Sequence, residues 1–343
     1  MAFKKKVSLK DIAQAVGVSS ALVSMVLNGK AKQYGIGEEA TRKVLAKAKE
    51  LNYQPNIMAR GLRSGKSHLL GLVVADISNP FFAILAREIE RAASEKGYTV
   101  IYGSSDEKPE HLSTLMNTLA NQGVDGIIVI PCENSEELIA DLYLQKYAMV
   151  LVDRYFPDIN TLSVSLDNVK ACKDVTQHLL SQGFRKISFV AYESKLLHTT
   201  ERIRGYHEAM QEAGLENNIH VLKFPQDKYH EMMLQVFEEN KINNKNIEAI
   251  IFSTNSLTVQ GLYVLNQLKI RIPEDVAVFG FDGGDVFDLY SPAISYVRQP
   301  VEEMGRKAVT ILIDQLESDE PQVIRRYKLK PELVIAESSV KKQ

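Results

Sequence analysis

Apolar residues in the first part of the chain recur at helical spacing. Leu9, Ile12, Ala13 and Val16 follow Ser8 and Asp11, which together form a capping-box signature. Gly17 allows a sharp turn, and Ser19 is placed to cap a second helix with Leu22, Val23, Val26 and Leu27 on its apolar face. Asn28-Gly29 stops that helix. Ser20, Ala21, Ser24 and Met25 fall off its apolar face. A third helix is expected from about Glu38 to Leu51, burying Val44, Leu45, Ala48 and Leu51 and leaving Arg42, Lys43, Lys47 and Lys49 outside. Three short helices with a tight first turn make a helix-turn-helix unit, which places the start of its second helix in the DNA major groove. Small residues there let the backbone approach the bases. A generic three-helix bundle with a solvated basic face fits the same periodicity.

After this head comes NYQPNIMARGLRSGKSHLLG, residues 52–71. Pro55 can begin a helix of about two turns that Gly65 ends, with Arg60, Arg63 and Lys66 around Leu62. So short a helix is marginal alone and is expected to order against a partner, with basic side chains on phosphates and Leu62 as a minor-groove wedge. A plain interdomain linker is the alternative.

From Leu69 the rhythm changes. LLGLVVAD, TVIYGSS, DGIIVIP and AMVLVDR are apolar strands separated by helical stretches, and KISFVA, IHVLKF, EAIIFST and DVAVFGFD form a second set. Such alternation predicts an α/β fold with parallel sheets covered on both faces. The units are too many for one sheet, so two lobes are expected, beginning near Leu69 and near Asp167, with a cleft beyond the strand ends. The predicted division is 1–54 for the helix-turn-helix domain, 55–67 for hinge helix and linker, and 68–343 for the two-lobed body.

Charge sharpens this division. Residues 1–66 carry 13 Lys or Arg against 4 Asp or Glu, a balance of +9, whereas the remainder holds 28 against 39, or −11. A basic head this short favours a polyanion as partner. No apolar run approaches the roughly 18 residues of a membrane span, and the basic start has no apolar segment behind it, so no export signal is expected. The two cysteines, Cys132 and Cys172, are expected as buried or half-buried thiols in a reducing compartment, the cytoplasm.

Polar residues gather at the predicted strand ends. Asp76, Ser78, Asn79 and Phe81 follow the first strand, Asp153 and Arg154 the fourth, Asn255 and Ser256 follow EAIIFST, and Asp282 follows VAVFGF. Arg202 lies in ERIRGY. Carboxylates, amides and an arginine around an aromatic suit the hydroxyls of a small polar ligand such as a sugar, although each alone also suits helix capping or a surface ion pair. No histidine pair has metal-ligand spacing and no nucleophile or phosphate-loop motif occurs, so neither enzyme nor cofactor is expected. A transport solute-binding protein would share the lobes but not the basic head. A sugar-processing enzyme would show turnover.

The chain resembles the LacI/GalR family of bacterial transcription regulators over essentially its full length. The blocks are LKDIAQAVGVSSALVSMVLNG, LNYQPNIMARGLRSGKS, ISNPFF, VDGIIVIP, VLVDR, ERIRGY, VAVFGFD and RQPVEEMG, in that order. The resemblance implies a repressor that is a homodimer or tetramer on a palindromic operator, with a periplasmic-binding-protein-like core sensing a small effector, most often a sugar or sugar phosphate. Ser20, Ala21 and Met25 match the family's base-reading positions and Ser19 and Ser24 its phosphate contacts, and Asn28, which ends the same helix, is expected among the DNA-binding residues with them. Leu62 matches the wedge, and Ala59 and Arg63 its hinge companions. Asp76, Phe81, Arg202, Asn255 and Asp282 match effector-pocket positions. The resemblance also implies discontinuous lobes, the first of about 68–165 plus 295–323 and the second of about 166–294 plus 324–343.

Two substitutions depart from the family pattern. Met25 stands where arginine is common, which removes a bidentate guanine contact. Ser256 stands where aspartate usually follows the asparagine. The loop at 31–37 is slightly long, and Gly37 replaces a hydroxyl or acidic cap, predicting a weaker helix start.

Overall fold

The computed structural model describes residues 7–53, 66–239, 247–318 and 324–341. It divides into two compact units, 1–67 and 68–343.

The smaller unit contains α1 (Leu9–Val16), α2 (Ser20–Leu27) and α3 (Glu38–Glu50). Ser8 and Asp11 form a reciprocal capping box on α1, and Gly17 ends it in the left-handed region at φ 77°. The chain then turns so that α1 and α2 differ in direction by 108°. Ile12, Ala13, Val23, Val26, Val44 and Ala48 form the core. Leu45 was expected inside but is 49% exposed. The two lower turns of α3 contact the other helices through Val44 and Ala48, which lie four apart, and Leu45 points off that stripe. Gly37 gives α3 no side-chain cap, as its lack of a hydrogen-bonding group requires.

The larger unit holds two six-stranded sheets. In the first lobe the elements are β1 (Leu69–Val74), α4 (Pro80–Glu95), β2 (Thr99–Ser104), α5 (Pro109–Asn121), β3 (Gly126–Val129), α6 (Glu136–Leu144), β4 (Met149–Val152) and β5 (Leu162–Leu166). The second follows with α7 (Asn168–Ser181), β6 (Ile187–Tyr192), α8 (Leu197–Glu212), β7 (His220–Phe224), α9 (Tyr229–Glu239), β8 (Ala249–Phe252), α10 (Asn255–Gln267), β9 (Ala277–Phe281), α11 (Asp285–Leu289) and β10 (Ser295–Arg298). The chain returns through α12 (Val301–Glu317), then β11 (Arg326–Leu329) and β12 (Glu332–Val334). The sheet orders are β11-β5-β4-β3-β1-β2 and β12-β10-β9-β8-β6-β7. All pairings are parallel except β10 with β12. Each lobe therefore repeats one doubly wound order, reversing direction between its first and third strands, where such sheets bind ligands.

The crossings differ from the expected boundaries at 295 and 324. Ser295, Tyr296 and Val297 pair in parallel with β9, so β10 belongs to the second sheet and the return to the first lobe follows it at Gln299–Pro300. Arg326–Leu329 pairs with β5 and belongs to the first sheet, leaving β12 to finish in the second. The β5 strand was not anticipated because its Ser163 and Ser165, both buried, blur the apolar signal. Its α12 neighbour buries Met304, Ala308, Val309 and Leu312 in the first-lobe core. Among the described residues, no single helix is long and apolar enough to cross a membrane.

Candidate functional site

On the head, Ser19 Oγ accepts the Leu22 amide at 3.2 Å and fixes the start of α2. Ser19, Ala21 and Asn28 are exposed, and Ser20, Ser24 and Met25 are half-buried. Asn28 turns its amide inward, donating to the Ser24 carbonyl at 2.7 Å and to Ser24 Oγ at 3.3 Å. It closes the helix and keeps only its carbonyl for an outside partner. Ala59, Leu62 and Arg63 lie outside the described residues.

In the body, the β1 end is largely self-organised. Ser78 donates its amide (2.9 Å) and hydroxyl (2.7 Å) to Asp76 Oδ1, and Asn79 caps α4 by accepting the Phe81 amide at 3.0 Å. Phe81 packs edge-on against Phe82 in the first-lobe core. Ser78, Asn79 and Phe81 thus shape the loop, and Asp76 presents the charge.

Beyond it lies a polar cluster drawn from both lobes. Arg154 binds both oxygens of Glu107 at 2.7 Å and the Pro131 carbonyl at 3.2 Å. Its neighbour Asp153 is 4% exposed and sits 3.5 Å from Arg154 Nε. From the second lobe, Arg202 donates through Nε to Asn168 Oδ1 (2.8 Å) and through Nη1 to the Ser253 carbonyl (2.6 Å). Its guanidinium lies 3.8 Å from the Phe281 ring centroid. Asn255, at the start of α10, donates its amide to the Gly283 carbonyl at 2.6 Å. Asp282 accepts from Gln299 Nε2 at 2.7 Å.

These groups feel one another across the lobes. Withdrawal from water pushes the Asp282 carboxyl up to about 6, with Arg202 and Gln299 opposing and Asp153 reinforcing. Burial pushes Asp153 up against the pull of Arg154 and Arg202. Burial, reinforced by both arginines, holds His198 well below its ordinary value, so its ring is neutral. Buried atoms without a hydrogen-bond partner include Asp153 Oδ1, Arg154 Nε, His198 Nδ1 and Gln299 Oε1. Leaving such groups unmatched is costly, so the cluster is suited to a polar ligand.

The sequence reading missed Glu107, His198, Gln299, Tyr192 and Tyr229. Gln299 lay inside a recognised block, RQPVEEMG, without a role. Tyr192 closes β6 and Tyr229 opens α9, with ring centroids 5.3 Å apart. Their hydroxyls gather with those of Thr254 and Ser256, and Asp76 of the first lobe acts on Tyr229. Cys132 and Cys172 are buried, their thiols pushed up to about 11 and about 12 by burial. Among the described residues no cluster of three or more potential metal ligands occurs.

Residues 8–56 match the model of bacterial regulatory proteins of the lacI family, and residues 176–339 match that of the periplasmic binding protein-like domain. A ribose operon repressor of Halalkalibacterium halodurans is 31% identical, covering 97% of each chain. The chain belongs to the LacI family. This LacI-family member is a DNA-binding transcriptional regulator and not an enzyme. A lac repressor dimer bound to operator and an anti-inducer shares its fold at TM-score 0.85, with 19% identity and coverage of 98% of this chain and 100% of that one. A CelR–cellobiose complex aligns at TM-score 0.69 with 26% identity, covering 97% and 100%.

Proposed function

We propose that the protein is a homodimeric cytoplasmic repressor whose heads read a palindromic operator and whose lobes close on a small sugar-like effector. Ser20, Ala21 and Met25 read base edges, Ser19 and Ser24 hold phosphates, Asn28 binds DNA beside them, and Leu62 wedges the operator centre with Ala59 and Arg63 as its hinge companions. Asp76, Asp153, Arg154, Arg202, Asn255 and Asp282 hold the effector. Closure alters the spacing of the paired heads, so effector and DNA affect each other's affinity reciprocally.

The observation that supports this reading is the gathering of polar groups from both lobes: Arg154 of the first acts on His198 of the second, and Asp153 of the first on Asp282 of the second, while Asp153 Oδ1 and His198 Nδ1 are buried without a hydrogen-bond partner. Relatives named for sugar operons, and the cellobiose-bound CelR, support a sugar-like ligand. The test is a palindromic duplex selected from random DNA and titrated with salt and with a sugar panel. The expected result is tight, salt-sensitive binding that a sugar modulates. Equal affinity for a scrambled duplex across the salt range would defeat it.

A further inference from the structure

The outer stripe of α3 in the head is only partly covered. Val44 and Ala48 pack into the core shared with α1 and α2, whereas Leu45 is 49% exposed. The loop at 31–37 stands beside this stripe and is held as a turn. Its Tyr34, Gly35 and Ile36 amides donate to the Lys30, Lys32 and Ala31 carbonyls at 3.2, 3.3 and 2.9 Å. Between loop and helix lies a hollow of about 490 Å³, with Ile36, Leu45 and Ala46 as apolar lining and Lys32, Arg42 and Lys49 around them. The wall is preformed, so a partner need not order it.

The cations around this hollow are not neutralised by the head itself. Lys43 and Lys47, on the same helix, pair with Glu39 at 2.8 Å and Glu50 at 2.7 Å. Among the described residues, Lys32, Arg42 and Lys49 form no ion pair, and Glu38 is the one carboxylate that lines the hollow. An apolar floor inside a basic rim fits an occupant that is apolar in the middle and acidic at its edges.

DNA has a claim on the cations but not on the floor, because phosphates reward no apolar contact. Val23 and Val26 of α2 are buried in the same core as Val44 and Ala48, while Ala21 and Met25 lie off that face. Thus α3 packs on the side of α2 turned from the bases, and its outer stripe stays open while α2 occupies the major groove. With Leu45 half exposed, the hollow is an open groove and not a closed chamber, which suits a helix laid along α3. Arg42 and Lys49 stand three and four positions either side of Leu45, about one turn each way, so an apolar anchor sits between two cations. We propose that this groove docks an acidic amphipathic helix of a separate protein while the head is on its operator, with apolar side chains on Ile36 and Leu45 and carboxylates on Lys32, Arg42 and Lys49.

The test uses the full-length protein bound to its selected operator. A displayed library of helical peptides with randomised surface positions is selected against this complex, with the Leu45→Asp complex as counter-target. Recovered peptides are expected to carry apolar residues three and four apart flanked by Asp or Glu. By fluorescence anisotropy they should bind Leu45→Asp, and separately the double variant Arg42→Gln with Lys49→Gln, at least about 10-fold more weakly, the loss expected of a central anchor. Melting temperature and operator affinity should stay near wild type in both. Recovery of no Leu45-dependent peptide, or of basic or uncharged ones, would overturn the proposal. So would a salt slope of operator binding that falls by about one for each cation removed, which would assign Arg42 and Lys49 to DNA phosphates. Leu45-dependent self-association of the operator complex in sedimentation would place a second copy in the groove and overturn it as well.

Discussion

Asp153 and Asp282 occupy the same place in the two lobes. Each follows a central strand in the left-handed region, at φ 66° and 70°. Each donates its amide to the neighbouring strand, Asp153 to the Val164 carbonyl (2.9 Å) and Asp282 to the Val297 carbonyl (2.8 Å). The repeated strand order thus aims two carboxylates from opposite sides at one space, where each raises the cost of ionising the other.

A pH signature follows from Asp282. Its ordinary value is 3.8 and its folded value about 6. Below the lower value it is protonated in both states. Between the two, the folded protein keeps a proton that the unfolded chain has released, so stability falls as pH rises, and above about 6 the penalty is constant. The stability of wild type minus that of Asp282→Asn should therefore decline between pH 4 and 6, by on the order of 2 kcal/mol, and then level off. His198, with its lowered value, acts in the opposite direction but cancels in this subtraction. Urea denaturation of both proteins across that range checks the sign. A flat difference would contradict it.

Arg202 should separate sensing from DNA binding. Its replacement by alanine removes two hydrogen bonds and the stack on Phe281, and strips Asn168 Oδ1 of its donor. Sugar affinity should fall at least about 30-fold, corresponding to roughly 2 kcal/mol for a charge-assisted bond. Operator affinity without sugar should stay near wild type. Arg202→Lys should rescue little, because an ammonium cannot reproduce the planar fork and stack. Titration calorimetry and operator binding on each variant measure both effects, and an unchanged sugar isotherm would remove Arg202 from the pocket.

Much of this was legible locally. Ser8, Gly17, Ser19 and Asn28-Gly29 punctuate the head through interactions a few residues long, so the sequence displays them directly. Asn255 and Asp282 stood out as polar residues at strand ends, and Arg202 stood out within the helical block ERIRGY. Their partners did not, because Asn168 and Gln299 reach them only through the folded sheet order. Tyr192 and Tyr229 look like ordinary aromatic residues until β6 and β7 pair and bring their rings together. Leu45 failed for the converse reason: helical spacing marks an apolar residue but not the width of the stripe that its neighbours cover.

Gly205 sets the spacing on which Arg202 depends. A methyl group there would collide with the Val169 carbonyl oxygen and crowd the Lys173 amide, both backbone atoms of α7. The absence of a side chain lets α8 approach α7, whose first residue, Asn168, receives Arg202. Gly205→Ala should destabilise the protein by about 1–3 kcal/mol, the range for overpacking a close contact, and weaken sugar binding with it. Chemical denaturation monitored by circular dichroism measures the first effect. Unchanged stability would mean that the helices part without cost.

Met25 makes the most direct prediction about operator choice. It lies on α2 one turn beyond Ala21, half-buried and without a polar group, so its outward contact is apolar. A thymine methyl is the base feature that rewards such a contact, whereas arginine rewards guanine through two hydrogen bonds. Met25→Arg should therefore move the preference at one base pair of each half-site toward guanine, by about 1–3 kcal/mol. Preferences at the other positions of the half-site should persist. Selection of both proteins against the same randomised palindrome, at one fixed salt concentration, reads the change position by position. Identical selected sites would show that residue 25 reads no base.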